Sequence, residues 1–115
     1  FMPLHENERA NCWLSVIQLA PDCKVRPLDV MVALEQGDIE SRPVWKPMHM
    51  QPIYRMNGFV TKDGNGRART NAYIAGDALD VGMDIFSRGL CLPSDNKMTV
   101  EQQERVIETI KRCFE

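Results

Sequence analysis

Apolar residues fall along this chain in short β-rich runs and in helical stripes, with proline- and glycine-rich stretches between them. "WLSVIQLA", residues 13–20, is apolar and β-rich enough to predict a buried strand, and "PDCKVRP" after it supplies a break. From Pro27, "PLDVMVALEQGD" carries the marks of a helix: proline where a first turn begins, Asp29 within that turn, and Gly37 where a left-handed C-terminal cap would fall. Leu28, Met31 and Leu34 form its expected inward face. "IESRPVW" predicts a second strand, at an edge or strand end because Pro43 has no N–H for a ladder.

Residues 55–76 are the least core-like part, with Gly58, Gly64, Gly66 and Gly76 around a polar run, and predict an exposed excursion with "DGNG" as a hairpin tip. Asp77 is expected to cap a helix whose buried stripe runs through Leu79, Met83 and Phe86 as far as Gly89. "LCLP" predicts a short third strand. Thr99 and Gln102 then have capping-box spacing ahead of a helix that aligns Val106 and Ile110 with Cys113 or Phe114. Together the elements predict an α+β fold, a small, mostly antiparallel sheet packed against helices.

Composition narrows the function classes. A chain of 115 residues, 43% of them hydrophobic, is one domain with a modest core. Its formal charge of -2 leaves no positive field to gather phosphate backbones or anionic lipid, so neither nucleic acid nor a membrane surface is an expected partner. No apolar run approaches the ~18 residues of a membrane span, and no leader-like segment stands at the start, which favours a cytoplasmic protein. Cys12, Cys23, Cys91 and Cys113 lack the paired short spacing of a zinc site and are expected as free thiols. The chain begins at Phe1, as an excised piece of a longer protein would.

Candidate chemistry concentrates in "SRPVWKPMHMQPIY", residues 41–54. Arg42 and Lys46 flank Trp45, a grouping able to hold a phosphate with a donor fork or a point charge while an aromatic face covers a ring. His49 could donate to a bound anion or exchange a proton near neutral pH, although for a lone histidine structural hydrogen bonding is the better-supported reading. Pro43, Pro47 and Pro52 would stiffen the connection and so position side chains, or would simply keep a strand edge from pairing. "GNG" with Arg67 and Arg69 lacks the preceding strand and following helix of a phosphate cradle. The residues alone nominate a place and no reaction.

"ESRPVWKPMHMQPIY" and "FSRGLCLPSDNKMTVEQQERVIETI" resemble the C-terminal end of the DegT-type sugar aminotransferases, and "FMPLHENERANCWLSVIQL" resembles that family's lead into its small domain, with Asn11, Trp13 and Leu14 matching. The resemblance implies that residues 1–115 are the C-terminal small domain of a fold type I, pyridoxal phosphate-dependent enzyme. Such an enzyme moves an amino group, usually from glutamate, to a keto sugar carried on a nucleotide, and works as a homodimer. "RPVWKPMHMQP" is similar to the branch that aminates UDP-linked 4-keto-6-deoxy-N-acetylhexosamines for bacterial surface glycans. Arg42, Trp45, Lys46 and His49 then become candidates for the nucleotide-sugar side of the cleft. The family's cofactor lysine, its partner carboxylate and its phosphate grip belong to a preceding large domain, and Lys24, Lys46, Lys62, Lys97 and Lys111 match no such motif. No catalytic residue, metal ligand or bound cofactor is therefore expected within the chain itself, and a non-catalytic binding or regulatory module that kept the fold is the alternative. Two departures stand out: the polar length of residues 61–75, and Asp95 where glycine commonly follows "LPS".

Overall fold

The computed structural model describes residues 6–54, 57–58 and 80–115. Among these residues three strands, β1 (Ser15–Gln18), β2 (Arg42–Pro43) and β3 (Gly89–Leu92), form one antiparallel sheet in the order β1-β3-β2. Ser15 lies opposite Leu92, and Arg42 opposite Cys91. Three α-helices of the described residues accompany the sheet: α1 (Pro27–Gln36), α2 (Val81–Arg88) and α3 (Val100–Arg112). This is the α+β arrangement expected from the sequence.

The core forms where α1 and α3 meet the sheet. Val30, Leu34, Ile39, Leu90 and Val106 are buried together, with Ile17, Met31, Ile110 and Cys113 packed against them. Leu34, Leu90 and Val30 are fully enclosed, and side chains of this kind each contribute about 1.5–3 kcal/mol on burial. The inward face of α1 differs from the expected one: Val30 and Leu34 point in, while Leu28 is 56% exposed. A repeated step of three residues lags an α-helix by about 60° each time, whereas a step of four nearly closes a turn. Met31 remains at the flank of the buried stripe.

Two further expectations are corrected by geometry. Among the described residues β1 is a sheet edge and only its alternate side chains face the core: Ile17 packs against it and Leu19 is buried, while Val16 remains exposed, so the strand as a whole is not buried. At the end of α1, Gly37 has φ of -93° and the left-handed position falls on Asp38, with φ of 53°. An aspartate tolerates that region better than most side chains. The turn is closed by the Gly37 and Ile39 amides, which both donate to the Leu34 carbonyl at 2.9 and 3.0 Å.

β2 is as brief as its proline demands, and it lies at the opposite edge from β1. α3 begins at the expected box: the Thr99 hydroxyl accepts from the Gln102 amide, and the Gln102 side chain accepts from the Thr99 amide. Of the two residues proposed to end its stripe, Cys113 packs on the core and Phe114 is exposed. Asp77, Leu79 and most of the 55–76 segment, with its "DGNG", lie outside the described residues. The cap of α2 is Asp80, whose Oδ1 accepts from the Met83 amide at 2.9 Å. At its other end α2 passes directly into β3 at Gly89.

Candidate functional site

After β2 the chain runs along the sheet edge and folds into two single 3-10 turns, Met48–Met50 and Pro52–Tyr54. Each is introduced by a proline, Pro47 ahead of the first and Pro52 inside the second, whose fixed φ suits such a turn. The Met50 amide donates to the Pro47 carbonyl at 2.9 Å, Gln51 to Met48 at 3.0 Å and Tyr54 to Gln51 at 3.0 Å. The Gln51 side chain reaches back to the Lys46 carbonyl at 3.2 Å. The backbone of this segment is therefore determined by its own hydrogen bonds, as the prolines suggested.

Arg42 and Trp45 line one groove of about 340 Å³, together with Leu14, Ser41, Ser94 and Asp95. Trp45 is 62% exposed and meets Trp13 at a centroid separation of 5.6 Å and an interplanar angle of 35°. A tilted aromatic pair left open to water presents a broad apolar face with some rigidity. Arg42 donates through Nε and Nη2 to the Glu40 carboxylate, the first contact at 2.8 Å. Both side chains are largely solvated, so the pair contributes little to stability and an anion of higher charge could displace Glu40. The Ser94 hydroxyl accepts from the Ser15 amide at 2.6 Å and donates to the Leu92 carbonyl at 2.9 Å, tying the groove floor to β1 and β3. Asp95 accepts from the Lys97 amide at 2.9 Å and stabilises the turn into α3.

His49 lies apart from that groove. It lines a smaller depression of about 220 Å³ with Met48, Tyr54, Asn57 and Gly58. Its Nε2 is 2.5 Å from Asp80 Oδ2, and the two side chains are only 15% and 11% exposed. The fold thus brings Arg42 and Trp45 together, places His49 beyond them along the same stiff segment, and leaves Lys46 exposed. Asp80, Trp13 and Ser94 are additions that residue-by-residue reading did not assign to the site. Asp80 is 31 positions from His49, and no local spacing signals such a pair.

Other tethers hold the surroundings. The Asp84 carboxylate receives the Arg88 guanidinium at 2.5 Å and the Gln18 amide at 2.9 Å, and its pKa is lowered chiefly by the Arg88 hydrogen bonds. Arg88 also donates to the Leu19 carbonyl, fixing α2 to the end of β1.

The family model of the DegT/DnrJ/EryC1/StrS aminotransferases matches residues 1–111. The chain belongs to that family. It is also 35% identical, over 114 residues, to the Bacillus subtilis (strain 168) protein EpsN, which carries the assigned name of a pyridoxal phosphate-dependent aminotransferase. The alignment covers 99% of this chain and 26% of EpsN, so the chain spans about a quarter of the relative it matches. Pyridoxal phosphate is the cofactor named for that relative. The described residues do not by themselves form a pocket that fits it: Lys24, Lys46, Lys97 and Lys111 are all exposed, and no polar or charged side chain among the described residues is fully buried. Nor do the described residues gather three or more potential metal ligands, and no described helix is long and apolar enough to cross a membrane.

Proposed function

We propose that residues 1–115 are the C-terminal small domain of a sugar aminotransferase and form the nucleotide-sugar wall of its cleft. The family match carries this reading, and the open groove of Arg42 and Trp45 gives it a chemistry. In the complete enzyme a separate large domain holds pyridoxal phosphate and its lysine, and glutamate is the amino donor. The acceptor is a nucleotide-linked keto sugar, a UDP-4-keto-6-deoxy-N-acetylhexosamine in bacterial surface glycan synthesis. The complete enzyme acts as a cytoplasmic homodimer.

The roles of the residues follow from their donors and faces. The Arg42 fork exchanges Glu40 for diphosphate oxygens, a stronger charge-assisted contact than an exposed carboxylate pair. Trp45, braced by Trp13, covers a planar or apolar ring face. Lys46 adds a mobile positive charge at the rim, and His49 offers an imidazole hydrogen bond from the stiff turn. These groups bind and orient the acceptor; the amino transfer belongs to cofactor chemistry outside this chain.

The test uses the complete polypeptide that carries this segment. Purified with pyridoxal phosphate, it should aminate the UDP-linked keto sugar in a glutamate-dependent manner, followed by mass spectrometry of the product. The 115-residue chain alone should give no product. Amination by the isolated chain, or failure of the complete protein on every nucleotide-linked keto sugar supplied, would overturn the reading.

A further inference from the structure

The contact between His49 and Asp80 joins the Met48–Met50 turn to the start of α2. Asp80 uses both carboxylate oxygens as acceptors: Oδ1 takes the Met83 amide of α2 at 2.9 Å, and Oδ2 faces His49 Nε2 at 2.5 Å. With one oxygen fixed by the helix, the carboxyl plane is fixed as well. The second oxygen can then accept only along a narrow range of directions, and a carboxylate there is matched by an imidazole with its proton on Nε2. Gly82 leaves room where α2 approaches the loop. A Cβ there would sit 3.3 Å from Pro47 Cγ and 3.7 Å from His49 Cε1. Both partners are largely sheltered, so solvent competes weakly for the contact.

We propose that Asp80 is a positioning residue for the nucleotide-sugar site: it holds His49 in the tautomer protonated at Nε2 and sets the plane of the ring. This rests on the reading of His49 as a contact of the nucleotide sugar. Asp80 acts through His49 and does not touch the substrate. The cap of a helix and the aim of a binding side chain are thus made by one carboxylate.

Asp80→Asn separates the two roles. Asparagine caps helices as well as aspartate does, so its carbonyl keeps the Met83 contact, while its NH2 group would face Nε2 and require the opposite tautomer. Asp80→Ser also keeps a good cap and withdraws from the ring altogether. In the complete enzyme with pyridoxal phosphate bound, either variant should raise KM for the nucleotide sugar by about tenfold, with kcat falling less than twofold and the melting temperature near the parent value. His49→Ala should raise KM comparably, and adding Asp80→Asn to it should cause no further increase. If Asp80→Asn leaves KM at the parent value, or if its effect multiplies with that of His49→Ala, Asp80 is structural or independent and the proposal fails while the reading of His49 stands. If His49→Ala leaves KM unchanged, the reading of His49 fails and takes the proposal with it.

Discussion

Gly89 sits where α2 becomes β3, and replacing it by alanine should be among the most damaging single-methyl additions in the domain. A Cβ at this position would lie 2.5 Å from the Ile85 carbonyl oxygen and 2.9 Å from Val44 Cγ2. Val44 is β-branched and has few rotamers to retreat into. The Ile85 carbonyl has less freedom still, because it accepts the Gly89 amide that closes the helix. Relief therefore means breaking that hydrogen bond, at about 1 kcal/mol, or displacing β3 from its partners, with overpacking itself costing roughly 1–3 kcal/mol. The expected loss is about 2–4 kcal/mol, which corresponds to roughly 30- to 700-fold faster hydrogen exchange at the amides of β3. Native-state exchange is the suitable assay, since it reads the local stability of the sheet. Gly58→Ala is the control: no described residue lies within 4 Å of its added methyl, so it should change exchange in β3 by less than about twofold. Exchange in Gly89→Ala equal to that of the parent would refute the packing argument.

Thr99→Ala removes one half of the capping box of α3 and should cost about 1 kcal/mol in equilibrium urea unfolding, while Thr99→Ser should cost little. Leu34→Ala opens a cavity in a fully enclosed site and should cost about 2–5 kcal/mol by the same measurement. Asp29, hydrogen-bonded by the Arg26 side chain and backbone, has its pKa lowered to about 2 from the model-compound value of 3.8. Its stabilising contribution is therefore complete above pH ~4 and lost as the pH falls toward ~2, a slope that Asp29→Asn should remove from an acid titration of stability. Burial raises the pKa of the Cys91 thiol, so in native protein at pH 8 it should resist iodoacetamide and react only after denaturant is added, as read by mass spectrometry.

Local signals carried much of the fold. The Thr99–Gln102 box, the proline at the start of α1, the limited strand around Pro43 and the "LCLP" strand all depend on residues within a few positions of one another, and each appears where its chemistry places it. What local reading missed was decided at a distance. Which face of α1 turns inward depends on where α3 and the sheet stand, and the exposure of Val16 depends on which face of β1 meets the core. The site divides in the same way. The stiff segment with Arg42, Trp45, Lys46 and His49 was legible from its prolines and side-chain types, whereas Trp13, Ser94 and Asp80 join it only through sheet register and the placement of α2. Asp77 and Asp80 precede the same helix and offer similar capping chemistry, so composition gave no ground for preferring the one that also reaches His49.

The most direct test of the central claim, that this domain contributes a nucleotide-sugar wall, is calorimetric titration of the complete, cofactor-loaded protein with UDP. The parent protein should bind, and Arg42→Ala should weaken binding by about tenfold or more, the effect of losing a charge-assisted phosphate contact, while the cofactor's absorbance stays the same. Equal affinity in parent and variant would contradict the account.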